Sequence, residues 1–207
     1  DARLISAGGG VLARSAKSVA LTPEMRRVLG TEAERLTPAE LVSVILAAPV
    51  DLIFNGGIGT YFKASDEDHA DVGDKANDAV RIDAARIRAR VVAEGGNLGM
   101  TQLARVEFAG RGGACNTDAI DNSGGVDCSD HEVNIKILLN GIVAAGDMTD
   151  KQRVQLLEAM RDAVAELVLF DNYRQAQSIS LAEREAALRI NEHRAVIASL
   201  EAAGVRD

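Results

Sequence analysis

Near residue 130 the chain changes texture, and this change limits its fold more than any other feature. Before it, short apolar runs alternate with glycine-rich turns; after it, glycine nearly vanishes and apolar residues recur at helical spacing. In the first part, Thr22-Pro23 and Thr37-Pro38 each set a capping residue before a proline at the first helical position. Glu40 completes a capping box with Thr37. Helices are predicted over 23–29, 38–48 and 101–110, with strands over 50–54 and 90–93 and a third apolar stretch over 114–119. Strands separated by helices predict an α/β fold with a partial, doubly wound parallel sheet. In the second part, Ser129 with Glu132 predicts a helix to about residue 145, ended by Gly146. Thr149 with Gln152 opens the next helix, and Ser180 with Glu183 a last one.

Aromatic residues make up 3% of the chain and tryptophan is absent, so the core must be aliphatic and alanine-rich. The 23 basic and 31 acidic residues give a net charge of −8. That balance offers no basic stripe for phosphates, which argues against a nucleic-acid partner. No apolar run approaches the roughly 18 residues of a membrane span, and nothing resembles a signal peptide. Cys115 and Cys128 lie far apart with no CxxC, which fits a reducing cytoplasm better than a disulfide framework. The chain opens at Asp1 without methionine, which is expected of a processed product or, more simply, of a piece cut from a longer protein.

Four loops follow the predicted strands or interrupt the pattern, and ligands of doubly wound sheets bind at such places. Asn55-Gly56-Gly57-Ile58-Gly59-Thr60-Tyr61 would let backbone approach a flat or anionic ligand, although it lacks the third glycine of GxGxxG and also fits a plain turn. In Glu94-Gly95-Gly96-Asn97-Leu98-Gly99-Met100-Thr101, Asn97 offers a donor and an acceptor suited to a carboxamide or ribose hydroxyl, or simply a left-handed turn. The segment 116–132 is dense in carboxylates. An oxygen-rich cation site built on Asp118, Asp121 and Asp127 is one reading of it, but the spacing matches no EF-hand and no metal is assigned. Ser129 reads as a helix N-cap, and a helix N-terminus with a free hydroxyl is also a ready carboxylate site. The acidic stretch 63–78 reads as a solvated loop, with His69 and His193 as surface residues and His131 ambiguous. Both cysteines read as small apolar residues rather than nucleophiles.

Taken together, Gly56-Gly57-Ile58-Gly59-Thr60-Tyr61, Asn77-Asp78-Ala79 and Asn116-Thr117-Asp118-Ala119-Ile120-Asp121-Asn122-Ser123 closely resemble the large bacterial NAD-specific glutamate dehydrogenases. The resemblance runs from Leu4-Ile5-Ser6-Ala7-Gly8-Gly9-Gly10 to Ser180-Leu181-Ala182-Glu183. More distantly, Glu94-Gly95-Gly96-Asn97 looks like the Glu-Gly-Ala-Asn segment of the small hexameric enzymes, and Asn122-Ser123-Gly124-Gly125-Val126-Asp127-Cys128-Ser129 like their Asn-Ala-Gly-Gly-Val segment ending in serine. The resemblance implies a Rossmann-like sheet, with 1–130 as the second half of a dinucleotide-binding domain and 131–207 as a helical segment packed on it or on a neighbour. It implies cofactor (NAD) contacts at Gly56, Gly57, Asn97 and Asn122, and contact of Ser129 with the distal carboxylate of the substrate.

The implied reaction oxidises L-glutamate to 2-oxoglutarate and ammonia by hydride transfer from Cα to NAD and imine hydrolysis, in a parent that is a homo-oligomer. The GxGxxG loop, the acid that would select NAD over NADP, and the catalytic lysine and aspartate are expected upstream. No catalytic residue is therefore assigned, and the fragment alone is expected to be inactive. Gly96 in place of alanine, and Leu98-Gly99-Met100-Thr101 in place of Pro-Thr-Thr, depart from the small enzymes. Dehydrogenation of a branched or aromatic amino acid, a non-catalytic assembly module and a cation-binding domain are the competing readings. Serine at 129 suits a carboxylate, whereas an apolar substrate would want an apolar residue there.

Overall fold

A computed structural model describes residues 4–205. The chain divides into two compact units, Asp1–Asn122 and Ser123–Asp207.

The first unit is mixed α/β. A short antiparallel ladder joins β1 (Val19–Ala20) to β2 (Arg35–Leu36), each followed by a helix. α1 (Pro23–Leu29) starts at Thr22, whose Oγ1 accepts from the Met25 amide at 3.1 Å, and stops at Gly30 in the left-handed region. α2 (Pro38–Leu46) starts from the reciprocal Thr37–Glu40 box. Val19, Leu21 and Leu41 bury a small core between these elements.

The chain then enters β3 (Leu52–Asn55), which pairs in parallel with β6 (Val91–Glu94), Asn55 opposite Glu94. Between them lie β4 (Phe62–Lys63), α3 (His69–Val72), a 3-10 turn at Lys75–Asn77, and β5 (Ile82–Asp83), parallel to β4. α4 (Gln102–Gly110) follows β6, its N-cap Thr101 accepting from the Ala104 amide at 3.0 Å. The main core gathers Phe62, Ile82, Val92, Met100, Ala104 and Phe108. Burying a phenylalanine or methionine of this kind contributes about 1.5–3 kcal/mol. Parallel pairing is thus present in two separate pairs, and the described strands form three two-stranded ladders.

Several expected elements come out differently. The apolar stretch over 114–119 is no strand: Ala114 makes a single parallel bridge to Val91, and the chain then turns into α5 (Asp118–Asp121). The stretch over 63–78 is no plain solvated loop. Arg81, its side chain without exposure, donates to the Thr60 carbonyl at 2.8 Å and to Asp78 Oδ1 at 2.6 Å, with Asp74 Oδ2 at 3.7 Å. His69 is exposed, as expected, but its Nδ1 lies 2.8 Å from the same guanidinium, which ties it into the network.

The second unit is helical: α6 (Ser123–Ala144), α7 (Asp150–Glu185) and α8 (Ile190–Ala202). α7 opens on the expected Thr149–Gln152 box. Two other expected caps fail. Ser129 lies in the second turn of α6, and Ser180 lies inside α7, each donating its hydroxyl to the carbonyl four residues earlier. Asn172 on α7 donates to the Ser123 hydroxyl at 2.8 Å, and Gly124 brings α6 close to the Val168 side chain. Among the described residues no helix is long and apolar enough to cross a membrane.

Candidate functional site

Parallel strands place the turns after them side by side, and β3 and β6 do this for two of the glycine segments. The Gly95 amide donates to the Asn55 carbonyl at 2.9 Å, continuing the ladder one step past the strands. Beyond it the turns meet backbone to backbone: a methyl group at Gly96 would sit 2.6 Å from the Gly57 carbonyl oxygen. A glycine at 96 is therefore a packing requirement of this chain, which explains its departure from alanine. Over Gly57 the space is open, with no atom within 4 Å of where a side chain would start. Beside it, Asn55 Nδ2 is buried with no hydrogen-bond partner, a donor at the strand end with its capacity unused.

The third segment closes on the second. Asn122 donates its amide to the Gly96 carbonyl at 2.8 Å and also to Asn97 Oδ1. Two asparagines that stand 25 residues apart in sequence thus share one polar cluster. Of the five residues singled out in the sequence, Gly57, Asn97 and Asn122 are brought together around Gly96. Gly56 adjoins Gly57, and a methyl there would pack 3.2 Å from the Phe54 ring. Ser129 belongs to the second unit, where its hydroxyl donates to the Gly125 carbonyl at 3.2 Å. It does not cap a helix, so the N-terminal dipole that would favour an anion at its hydroxyl is not there.

Beneath these turns is an ionic network that no local pattern announced. Glu94 is 1% exposed. Its Oε1 accepts from Arg105 Nε at 3.2 Å and Nη2 at 2.7 Å, and its Oε2 accepts from the Gly99 amide at 2.7 Å. Arg105 Nη2 also lies 3.2 Å from Asp118 Oδ1, and the other oxygen of Asp118 accepts from the Leu98 amide at 2.8 Å. Asp121 accepts from the Glu94 amide at 2.9 Å and from Asn116 Nδ2 at 3.0 Å. Glu94 and Asp118 were visible in the motifs. Arg105, three residues into a helix, carried no signal of its own.

The cation reading of the carboxylate-rich segment changes accordingly, because Asp118 and Asp121 spend their oxygens on a guanidinium, amides and Asn116. Asp127 instead groups with His131 and Asp171 in the second unit, with one ligand atom from each lying within 4.8 Å of the others. Arg174 lines the same cleft, a cation beside these carboxylates. Cys115 is half-buried; burial pushes its thiol pKa up, against the opposing effect of Arg105. Cys128 is exposed rather than buried. Lys63 directs its ammonium to Asp83 and to the Ala64 and Glu67 carbonyls, so it is fully engaged away from the glycine turns.

Comparison with known proteins gives one family throughout. A family model described as the catalytic domain of bacterial NAD-glutamate dehydrogenase matches residues 1–182. The NAD-specific glutamate dehydrogenase of Pseudomonas aeruginosa is 64% identical over all 207 residues, and that of Halomonas elongata 56% over the same length. The NAD-specific glutamate dehydrogenase of Mycobacterium tuberculosis is 53% identical over 199 residues, 93% of this chain. The chain spans 12–13% of the length of these curated relatives. With a family model over most of its length and identities above half, this chain belongs to the catalytic-domain family of the bacterial NAD-glutamate dehydrogenases.

Proposed function

We propose that the chain forms the cofactor-orienting part of a parent enzyme that oxidatively deaminates L-glutamate to 2-oxoglutarate and ammonia with NAD. The observation that carries this is the meeting of two turns at the ends of parallel strands with the residue that ends α5, Gly57 against Gly96 and Asn97 against Asn122. Open space over Gly57 fits a flat ligand lying close against the backbone. In this reading the first unit is the second half of a Rossmann-like dinucleotide-binding domain, and the second unit is its helical continuation.

NAD, when bound, supplies the hydride acceptor. The chain's own contribution is position. Gly56 and Gly57 allow close backbone approach, while Asn97 and Asn122 orient the carboxamide and ribose side of the cofactor. Ser129 takes the distal carboxylate of glutamate, exchanging its weak intrahelical bond to Gly125 for a charge-assisted one. The lysine and aspartate that would move protons come from elsewhere in the parent, which works as a homo-oligomer in a reducing cytoplasm that keeps both cysteines free.

Two substitutions in the full-length enzyme test this. Asn97→Ala is expected to raise the KM for NAD about tenfold, the scale of one or two lost polar contacts, and to leave the KM for glutamate nearly unchanged. Ser129→Ala is expected to do the reverse. Unchanged KM for NAD in Asn97→Ala would remove the 94–101 turn from the cofactor site, and unchanged KM for glutamate in Ser129→Ala would remove Ser129 from the substrate site.

A further inference from the structure

The 94–101 turn contains the only non-glycine residue with positive φ among the described residues: Leu98, at +57°. A left-handed leucine costs on the order of 1 kcal/mol or more, and such a conformation persists only where its surroundings impose it. Here the constraint is visible. The amides of residues 98 and 99 donate to two different carboxylates, Asp118 and Glu94, and one guanidinium, that of Arg105, sits against both. The side chains of Glu94, Arg105 and Asp118 are 1%, 8% and 16% exposed. Burying three charges is costly, and an apolar trio would hold the same elements together at least as well. What this arrangement adds is geometry: the two acceptors are fixed relative to each other, so the turn between them has one shape. Asn97 immediately precedes the clamped pair of amides, and its carboxamide oxygen receives Asn122.

We infer that Arg105 is a positioning residue for the cofactor: by bridging Glu94 and Asp118 it holds Leu98 left-handed and so sets the carboxamides of Asn97 and Asn122. This rests on the assignment of those asparagines to the cofactor site. Arg105 itself lies beneath the turn and acts only through its two carboxylates. Lysine is a poor substitute, since one ammonium lacks the planar Nε–Nη2 pair that grips Glu94 while Nη2 also reaches Asp118.

The test uses the full-length enzyme, with Arg105→Met, Arg105→Lys and Asn97→Ala compared by separate KM values for NAD and glutamate. Arg105→Met is expected to raise the KM for NAD about ten- to a hundredfold, as loss of positioning typically does, with glutamate affected less than about twofold. Arg105→Lys should fall between wild type and Arg105→Met, and it supplies the reading if the methionine variant does not fold. Adding Leu98→Gly to either Arg105 variant is expected to recover part of the loss, because glycine adopts the left-handed conformation unaided; a simple packing defect would not respond. Equal rises in both KM values, or an unchanged KM for NAD beside an effective Asn97→Ala, would overturn the inference and leave the cofactor site standing. An ineffective Asn97→Ala would overturn the cofactor assignment and this inference with it.

Discussion

A methyl group placed on Gly96 meets the Gly57 carbonyl oxygen at 2.6 Å, backbone against backbone, with no flexible side chain to move aside. Gly96→Ala is therefore expected to separate the two turns and to cost about 1–3 kcal/mol, the usual range for overpacking. Urea titration of the chain measures this, and stability within about 0.5 kcal/mol of wild type would show that the turns separate freely. Arg81 is another residue of the first unit with much to lose. Its side chain is fully buried among Thr60, Asp74, Asp78 and His69, and Arg81→Met would strand those acceptors. A loss of about 2–3 kcal/mol is expected, below the full cost of breaking a buried pair because both carboxylates are partly exposed. Asp74 makes the same network pH-dependent. The Thr60 amide and Asn77 side chain, with Arg81 nearby, hold its carboxyl below the ordinary value of 3.8. A depressed folded pKa gives stability that is fully present above the unfolded value and lost as the pH falls through the folded one. Asp74→Asn should therefore weaken the chain near neutrality yet flatten its acid-unfolding profile below about pH 4. An acid profile parallel to wild type would contradict this.

Helix starts in this protein divide into those a short pattern identifies and those it does not. Thr22, Thr37 and Thr149 all cap where expected, because each follows a turn and precedes an apolar periodic run, while Thr101, expected as the first helical residue, is the cap of α4. The Thr37 box is reciprocal, with Glu40 Oε2 2.7 Å from the Thr37 amide, and Thr37→Ala is expected to cost about 1 kcal/mol. Circular dichroism against urea reads that loss; a change below about 0.3 kcal/mol would mean that packing alone holds α2. Ser129 and Ser180 carry the same serine-x-x-glutamate spacing and cap nothing, since a serine inside a helix can return its hydroxyl to the carbonyl one turn back. Gly124 and Gly125 both lie in the first turn of α6, where Gly124 lets Val168 of α7 pack closely. The stretch over 114–119 had the composition of a strand, but a single bridge at Ala114 is all it contributes before Thr117 caps α5.

At the scale of the whole chain, apolar surface is left in view. Phe54 and Ile58 at the β3 turn, and Leu167, Leu169, Phe170 and Tyr173 on α7, are all exposed. Exposed apolar groups of this kind often mark contacts with other protein. The 207-residue chain alone is therefore expected to bind an apolar dye and to self-associate as its concentration rises. A dye-silent monomer in sedimentation would mean that these faces need no cover. The same chain should not reduce NAD with glutamate, and turnover proportional to its concentration would show that a complete proton-transfer apparatus lies within it. The sequence by itself determined the α/β-then-helix order, three of the caps, the two long parallel strands and the family, because each is written in neighbouring residues or in motifs several residues long. It also marked Gly57, Asn97 and Asn122 as residues of interest without saying that they meet. Only the tertiary structure decided that Gly96 packs on Gly57, that Ser129 sits within a helix rather than at its end, and that Arg105 joins Glu94 to Asp118. The contacts of Gly96 and Arg105 join residues 11 to 39 positions apart, and their existence depends on how parallel strands and the helices after them converge, which no local periodicity encodes.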